Sequence, residues 1–304
     1  MNKIALIIGY GSAGQRHARL LKKNKKISKI YIFSSSVNIP FNKINKLYDI
    51  KKINPDIVII STYSSKHLSY IKFLDRNLKN KVILIEKPLF DKFYSKEKKF
   101  INNKYYVGYN LRFHPIIKFL KAKLKKRKLW SFKVVSNSFL PNWRKNIQYH
   151  KSASALKKYG GGALLELSHE IDFTNWILGD FKILFSINKK ISNLKINTDD
   201  QYEIFGGNKK CKLINISTNF YSKIKKREIY VDCKNLSISA NFLNNKVNLI
   251  ENNKAKTIYF NNFTMNNSFQ DEHEEIITKK FNNICTYKQG NEIMNYINQV
   301  KKNS

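Results

Sequence analysis

Residues 9 to 14 read Gly-Tyr-Gly-Ser-Ala-Gly, and glycines at that spacing can hold a pyrophosphate. One glycine makes the turn, the next lets the backbone approach the phosphates, and the third lets a helix pack closely on the preceding strand. The start of that helix offers free N–H groups and the positive end of a dipole to an anion. Gly9, Gly11, Ser12, Ala13 and Gly14 are therefore the candidate cofactor loop. Further on, where an NAD site commonly places Asp or Glu against the ribose 2′-OH, this chain has Ser34-Ser35-Ser36. Hydroxyls without a carboxylate do not repel a 2′-phosphate, so the reading admits NAD or NADP with a slight preference for NADP, contacted by Ser34 and Ser35. HExxH, GxSxG and any cluster with metal-ligand spacing are missing, so neither a metal nor acyl-transfer chemistry is expected.

The elements that must carry this loop are legible around it. Ile4 to Ile8 is a continuous apolar, β-branched run, as for a strand buried on both faces of a parallel sheet, and Gln15 to Lys23 reads as a helix. Strands follow at Lys29–Phe33, Asp56–Ser61, Val82–Ile85 and Tyr105–Val107, with a helical stretch predicted over Phe41–Ile53. Thr62 to His67 opens a further helix at a strand's carboxyl end, where open α/β sheets bind ligands. Such alternation predicts an α/β fold, with an N-terminal Rossmann doubly wound parallel sheet over residues 1–120. Residues 121–304 read as an α+β domain with a large, mostly antiparallel sheet, its strands separated by Asn/Gly/Lys turns. One long helix, Ala163 to Leu178, precedes that sheet behind Gly160-Gly161-Gly162, and two more near Asp271–Ile284 and Glu292–Lys301 close the chain.

Composition narrows the partners. The 304 residues are 42% hydrophobic and 13% aromatic, too apolar for a disordered chain. No apolar run approaches the roughly 20 residues of a membrane span, and the short apolar start leads straight into glycines rather than resembling a signal peptide. Three widely spaced cysteines without a CxxC favour a reducing cytoplasm. Lys+Arg 57 against Asp+Glu 21 gives a net charge of +36, a balance that raises polyanions as partners. Only seven of the 57 are arginine, however, and arginine is the residue suited to bidentate reading of bases and phosphates. The scattered lysines are read as solvated faces, with neither a specific nucleic acid nor a membrane as partner.

GYGSAGQRHARLL, IISTYSSKH, IEKPLF, VGYNLRFHP, LPNWR and GGGALLELSHEID, in that order and spacing, resemble the Gfo/Idh/MocA family. This is the glucose-fructose oxidoreductase and inositol dehydrogenase group of NAD(P)-dependent sugar oxidoreductases. The WR and LSHEID details look most like members in surface-glycan or sialic-acid-like sugar pathways. The resemblance implies hydride transfer between nicotinamide C4 and a carbon of a sugar, sugar acid or nucleotide-linked sugar. It also implies a homodimer or homotetramer formed through the second-domain sheet.

An alcohol that loses a hydride must also lose a proton, so a base has to reach its hydroxyl. Lys87 matches the family's active-site lysine, which binds the reacting oxygen and joins a proton relay. His169 matches the catalytic histidine after the glycines, with an ordinary pKa suited to acid/base exchange near neutrality. The family commonly carries an Asp four residues before that histidine. Here position 165 is Leu, and Glu166 stands three residues before His169, a spacing that still shares a helical face. Asp172 could orient the histidine ring or contact a sugar hydroxyl. By the same resemblance Thr62, Tyr63, His67, Glu86, Lys87, Arg112, Trp143 and Arg144 contact the cofactor, while Lys87, Tyr149, His169 and Asp172 line the sugar pocket. The alternative reading, motivated by the displaced Glu166, is a catalytically inactive NAD(P)-binding sensor or regulatory protein.

Overall fold

The computed structural model describes residues 2–95, 99–144 and 147–303. In chain order the first elements are β1 (Lys3–Ile8), α1 (Ser12–Lys22), β2 (Ile27–Phe33), β3 (Asn42–Ile44), α2 (Ile50–Ile53), β4 (Ile57–Ile60), α3 (Ser64–Asn77), β5 (Val82–Glu86) and β6 (Lys104–Gly108). Then come α4 (Pro115–Leu124), β7 (Leu129–Phe139), α5 (Ala163–Glu166), α6 (His169–Leu178) and the strands β8 (Lys182–Lys189), β9 (Gln201–Gly207), β10 (Cys211–Asn219), β11 (Tyr221–Cys233), β12 (Leu236–Asn241), β13 (Lys246–Glu251) and β14 (Lys254–Tyr259). The chain closes with α7 (Met265–Thr278), β15 (Cys285–Thr286) and α8 (Tyr287–Lys302). Two compact units result: Met1–Phe113 with Met265–Met294, and His114–Thr264 with Asn295–Ser304.

The first unit is built on a seven-stranded sheet of order β15-β6-β5-β4-β1-β2-β3. Its pairs are parallel except that the short β15 runs antiparallel to β6. The central strands are buried on both faces, which explains their unbroken Ile/Val/Leu runs: residues 5–8, 57–60 and 82–85 are at most 1% exposed. Ala18 and Leu21 of α1 and Ile276 and Ile277 of α7 join the same core. Because all these strands except β15 run the same way, the segments after β1, β4 and β5 emerge at one edge of the sheet. That edge is where the glycine loop, Thr62 and Lys87 lie.

The second unit holds an eight-stranded sheet of order β14-β13-β12-β11-β7-β10-β9-β8, antiparallel throughout except for the parallel β7–β10 pair. One face is apolar and buried, with Phe132, Val134, Ile204, Ile214, Ile216, Ile229 and Val231 among its residues.

Three sequence expectations are corrected. Phe41–Ile53 is not one helix: Asn42–Ile44 add a parallel edge strand to β2, and only a 3-10 turn (Leu47–Asp49) running into the single turn α2 is helical, ended by Asn54 in the left-handed region. Phe41 packs into the core, and β2 had an unpaired edge for the chain to satisfy, so pairing overrode local helical spacing. The helix predicted from Ala163 to Leu178 is broken after Leu167, whose carbonyl accepts a hydrogen bond from the Tyr202 hydroxyl at 2.8 Å. The helix predicted at Asp271–Ile284 instead covers Met265–Thr278 and ends where Lys279 turns left-handed at φ +60°.

Candidate active site

In the first unit the three glycines divide their tasks as the motif requires. Gly9 has φ +98°, and a Cβ there would lie 2.7 Å from the Ser61 carbonyl oxygen. A Cβ on Gly14 would overlap the Gly9 carbonyl oxygen, so this glycine seats α1 against the turn. Gly11 differs: it is extended, and a Cβ on it meets nothing within 4 Å. Protein packing therefore does not demand glycine there, and the open space in front of it fits a ligand that approaches the backbone. Gly11 caps α1 without a side-chain hydrogen bond, and the first turn has no acidic residue, so its amides face the cradle uncompeted. Ser61 ties the loop down, its Oγ donating to the Gly9 carbonyl at 2.9 Å and its N–H to Ile8 at 2.8 Å. The residues present fit the pyrophosphate of a dinucleotide, which the loop from Gly9 to Gly14 would hold.

Beyond β2, the Ser36 amide donates to Ser34 Oγ at 3.1 Å, forming a small serine turn, and Ser35 is exposed. Lys43 of β3 donates its Nζ to the Ser36 carbonyl at 2.9 Å, a cation beside that turn which sequence reasoning missed. After β4, Tyr63 is half exposed, whereas His67 is buried with its ring nitrogens each 3.1 Å from the carbonyls of Thr62 and Leu89. Burial, partly opposed by those carbonyls, lowers the His67 pKa, and the ring links the segments that follow β4 and β5. Arg112 is 2% exposed and donates Nη1 to Gln289 Oε1 at 2.8 Å.

Glu86 ends β5, and Lys87 follows with a cis bond to Pro88. Glu86 Oε2 accepts the Lys87 amide at 3.2 Å, and Oε1 lies 2.7 Å from His17 Nε2. Burial pushes the Glu86 carboxyl up, but the His17 contact and the neighbouring Lys87 outweigh it and hold it below the ordinary carboxylate value. His17 Nδ1 in turn lies 2.7 Å from Nε2 of His273 on α7. Sequence spacing gives neither histidine a role. The usable signal for His17 was its place beside Ala18, Leu20 and Leu21 on the buried side of α1.

In the second unit Gly162 has φ +112°, and a Cβ on it would overlap Asp199. Asp199 Oδ2 accepts the Leu164 amide at 2.7 Å, closing the start of α5 from outside the helix. Burial raises its pKa, opposed by that amide. Glu166 Oε1 accepts from Ser154 Oγ at 2.8 Å. The break after Leu167 removes the common helical face assumed for Glu166 and His169; they sit on separate helices, and His169 is the first residue of α6. His169 and Asp172 do share a turn of α6, with Asp172 fully buried. Between them Glu170, also fully buried, accepts from Arg227 of β11 through Nε at 2.9 Å and Nη2 at 2.6 Å, which pins α6 to the sheet. Trp143, Arg144 and Tyr149 line one small pocket, whose Ser154 wall is the partner of Glu166. Trp143 donates Nε1 to Ser138 at 3.1 Å and sets its ring edge against Phe220 at 4.9 Å, and the Tyr149 hydroxyl accepts the Lys195 amide at 3.1 Å.

Among the described residues no helix is long and apolar enough to cross a membrane, and no group of three or more His, Cys, Asp or Glu could hold a metal ion.

No protein-family model matches the sequence, and no curated protein does either. Solved structures do match over the whole chain. Levoglucosan dehydrogenase in complex with NADH superposes with a TM-score of 0.83 at 14% identity, covering 100% of this chain and 97% of the other. UDP-N-acetylglucosamine 3-dehydrogenase GnnA from Acidithiobacillus ferrooxidans gives 0.76 at 13%, covering 99% and 97%. The WlbA dehydrogenase from Bordetella pertussis, in complex with NADH and UDP-GlcNAcA, gives 0.80 at 11%, covering 100% and 96%. The chain has the fold of these dehydrogenases, a Rossmann unit followed by a large, mostly antiparallel sheet, as the sequence led us to expect.

Proposed function

We propose that the chain is a Gfo/Idh/MocA-type oxidoreductase that transfers a hydride between NAD(P) and a sugar, sugar acid or nucleotide-linked sugar. The observation that carries this reading is the carboxyl edge of the first sheet. The glycine loop after β1 keeps an unfilled space in front of Gly11, and Lys87 follows β5 at that same edge. The nicotinamide supplies the hydride acceptor or donor when bound. Lys87 would hold the reacting oxygen and pass its proton, His169 would exchange that proton, Asp172 would orient His169, and Glu166 would support the pair. Tyr149 would line the sugar pocket, while Trp143 and Arg144, which share a small pocket with it, would contact the cofactor. A UDP-N-acetylglucosamine dehydrogenase and a UDP-GlcNAcA complex of this fold support a nucleotide-linked sugar, and levoglucosan dehydrogenase supports a free one; the proposed setting is surface-polysaccharide synthesis in the cytoplasm.

NADP is the preferred cofactor in this proposal. The serine turn after β2 carries no carboxylate, and Lys43 stands beside it, where a cation attracts a 2′-phosphate. Self-association through the second-unit sheet is also proposed. Its outward face carries one row, Phe185, Phe205, Asn215, Lys133, Tyr230, Ser239, Asn248 and Thr257, from β8 to β14. Phe185 is 55% exposed and Phe205 38%, and their rings lie 6.2 Å apart, an exposed apolar patch of the kind that marks association.

The experiment is a titration of NADH and NADPH into the purified protein at moderate salt, read by nicotinamide fluorescence, followed by a screen of free and nucleotide-linked sugars read by cofactor redox change. Saturable binding with turnover supports the proposal. Binding without turnover on any sugar replaces it with the sensor reading, and no binding removes both.

A further inference from the structure

The first unit contains a chain of three side chains that the proposed reaction does not by itself call for. His17 Nε2 is 2.7 Å from Glu86 Oε1, and His17 Nδ1 is 2.7 Å from His273 Nε2. His17 is 0% exposed and His273 2%. The ring of Phe269 stands edge-on to His17 at 5.4 Å, with the Arg16 guanidinium 5.1 Å from Phe269. Three elements remote in sequence, α1, β5 and α7, thus converge on one carboxylate.

The chemistry of the contacts fixes where the protons are. An ionised carboxylate only accepts, so the proton in the first contact is on His17 Nε2. A neutral imidazole has one N–H, so Nδ1 of a neutral His17 must then accept, and His273 Nε2–H supplies the donor. A protonated His17 would instead donate from both nitrogens, with His273 accepting. Both arrangements aim Nε2–H at Glu86. Without His273, the other neutral tautomer would turn a lone pair toward the carboxylate. His273 itself stays neutral, since burial and the neighbouring His17 push its pKa well below the ordinary value. The second carboxylate oxygen accepts the Lys87 amide at 3.2 Å, so Glu86 is held at both ends. The other ionisable groups around this chain are Lys87, His67 on α3, Arg16 on α1 and the buried Glu272 beside His273.

We infer that His17 and His273 are positioning residues that lock Glu86 as an oriented anion and thereby bias the dinucleotide site toward the oxidised, positively charged nicotinamide. The inference rests on the reading of this unit as an NAD(P) site with Glu86 near the nicotinamide. A carboxylate within about 6 Å of a pyridinium in a partly buried site changes its binding about tenfold or more, and leaves the uncharged reduced ring little affected. Removing His17 would leave Glu86 desolvated without that donor, so its pKa rises and the anion is less populated.

The test needs no sugar. NAD+, NADH, NADP+ and NADPH are titrated into wild type, His17→Leu, His17→Gln and His273→Leu, with circular dichroism to show that each is folded. Carbon-13 NMR of the glutamate carboxyls, assigned with Glu86→Gln, follows the Glu86 titration. In His17→Leu the oxidised form should bind about tenfold more weakly with the reduced form within about threefold, the deficit shrinking as pH rises through the raised Glu86 pKa. His17→Gln, whose amide still donates, should restore the wild-type ratio, and His273→Leu should shift it in the same direction by less. Equal losses for both redox forms, or an unchanged ratio with Glu86 titrating as before, would overturn the inference while leaving the cofactor site intact. Wild type that binds none of the four refutes the dinucleotide reading, and the inference goes with it.

Discussion

Gly11→Val and Gly14→Ala should separate ligand binding from folding within a single six-residue loop. Gly11 has φ −74° and ψ −168°, a conformation valine adopts readily, and nothing lies within 4 Å of its Cβ position. Replacing a flexible residue where the backbone suits the new one stabilises by about 0.4–1 kcal/mol through the unfolded chain. Losing glycine at the cap of α1 costs up to about 1 kcal/mol. The two nearly cancel, so Tm should move by less than about 4 °C. The valine methyls do fill the space in front of the α1 amides. If two charge-assisted hydrogen bonds to phosphate are lost, at about 1.5–3 kcal/mol each, Kd for the dinucleotide rises at least a hundredfold, by roughly 3–6 kcal/mol. Gly14→Ala does the reverse, because its Cβ would collide with the Gly9 carbonyl and come within 2.8 Å of Ser61 Oγ. Overpacking of that kind costs about 1–3 kcal/mol or more, a fall in Tm of several degrees. Thermal unfolding and nicotinamide fluorescence titration on the same preparations give both readouts. A Gly11→Val protein that binds cofactor like wild type would refute the pyrophosphate cradle; a Gly14→Ala protein of unchanged Tm would refute the packing argument.

Lys87→Met should abolish turnover while cofactor affinity stays within a few-fold, and titration beside the sugar assay would show it; loss of cofactor binding as well would remove the lysine from proton transfer. Lys43→Glu puts an anion beside the serine turn, so the NADPH-to-NADH affinity ratio should fall by about tenfold or more, read by paired titrations. His114, whose Nδ1 accepts the Ile116 amide at the start of α4, has its pKa lowered to about 3 by burial and then by Arg227. The unfolded chain binds a proton there below about pH 6.5 and the folded chain does not until about pH 3, so stability must fall on acidification across that window. His114→Asn keeps a cap acceptor without the titrating ring, so denaturant melts from pH 4 to 7 should show a shallower loss, by as much as about 3 kcal/mol across the range. An unchanged slope would show that His114 is not the group responsible.

Local pattern was enough for much of this molecule. The unbroken Ile/Val runs of β1, β4 and β5 can be stable only when covered on both faces, and a glycine turn feeding a helix from such a strand leaves few alternatives to a dinucleotide fold. Alternation and turn residues in the second half likewise required a one-sided sheet. The misreadings arose where a distant partner decided. β3 formed because β2 offered an open edge, and the Ala163–Leu178 helix broke where Tyr202, far along the chain, takes the Leu167 carbonyl. That break separated Glu166 from His169, a relation that spacing alone had treated as one helical face. Lys43 beside the serine turn and Asp199 against Gly162 escaped notice for the same reason.

The clearest contrast is at Glu86. Its place before Lys87 and Pro88 was plain from the sequence, because three adjacent residues form a motif by themselves. Its state was not, because the charge of a buried carboxylate depends on the donors that surround it, and here these come from residues 17 and 273. Sequence determined which groups this protein possesses and which strands must be buried; only the tertiary structure decided which groups meet, since hydrogen bonds and desolvation act over a few ångströms of space whatever the separation along the chain.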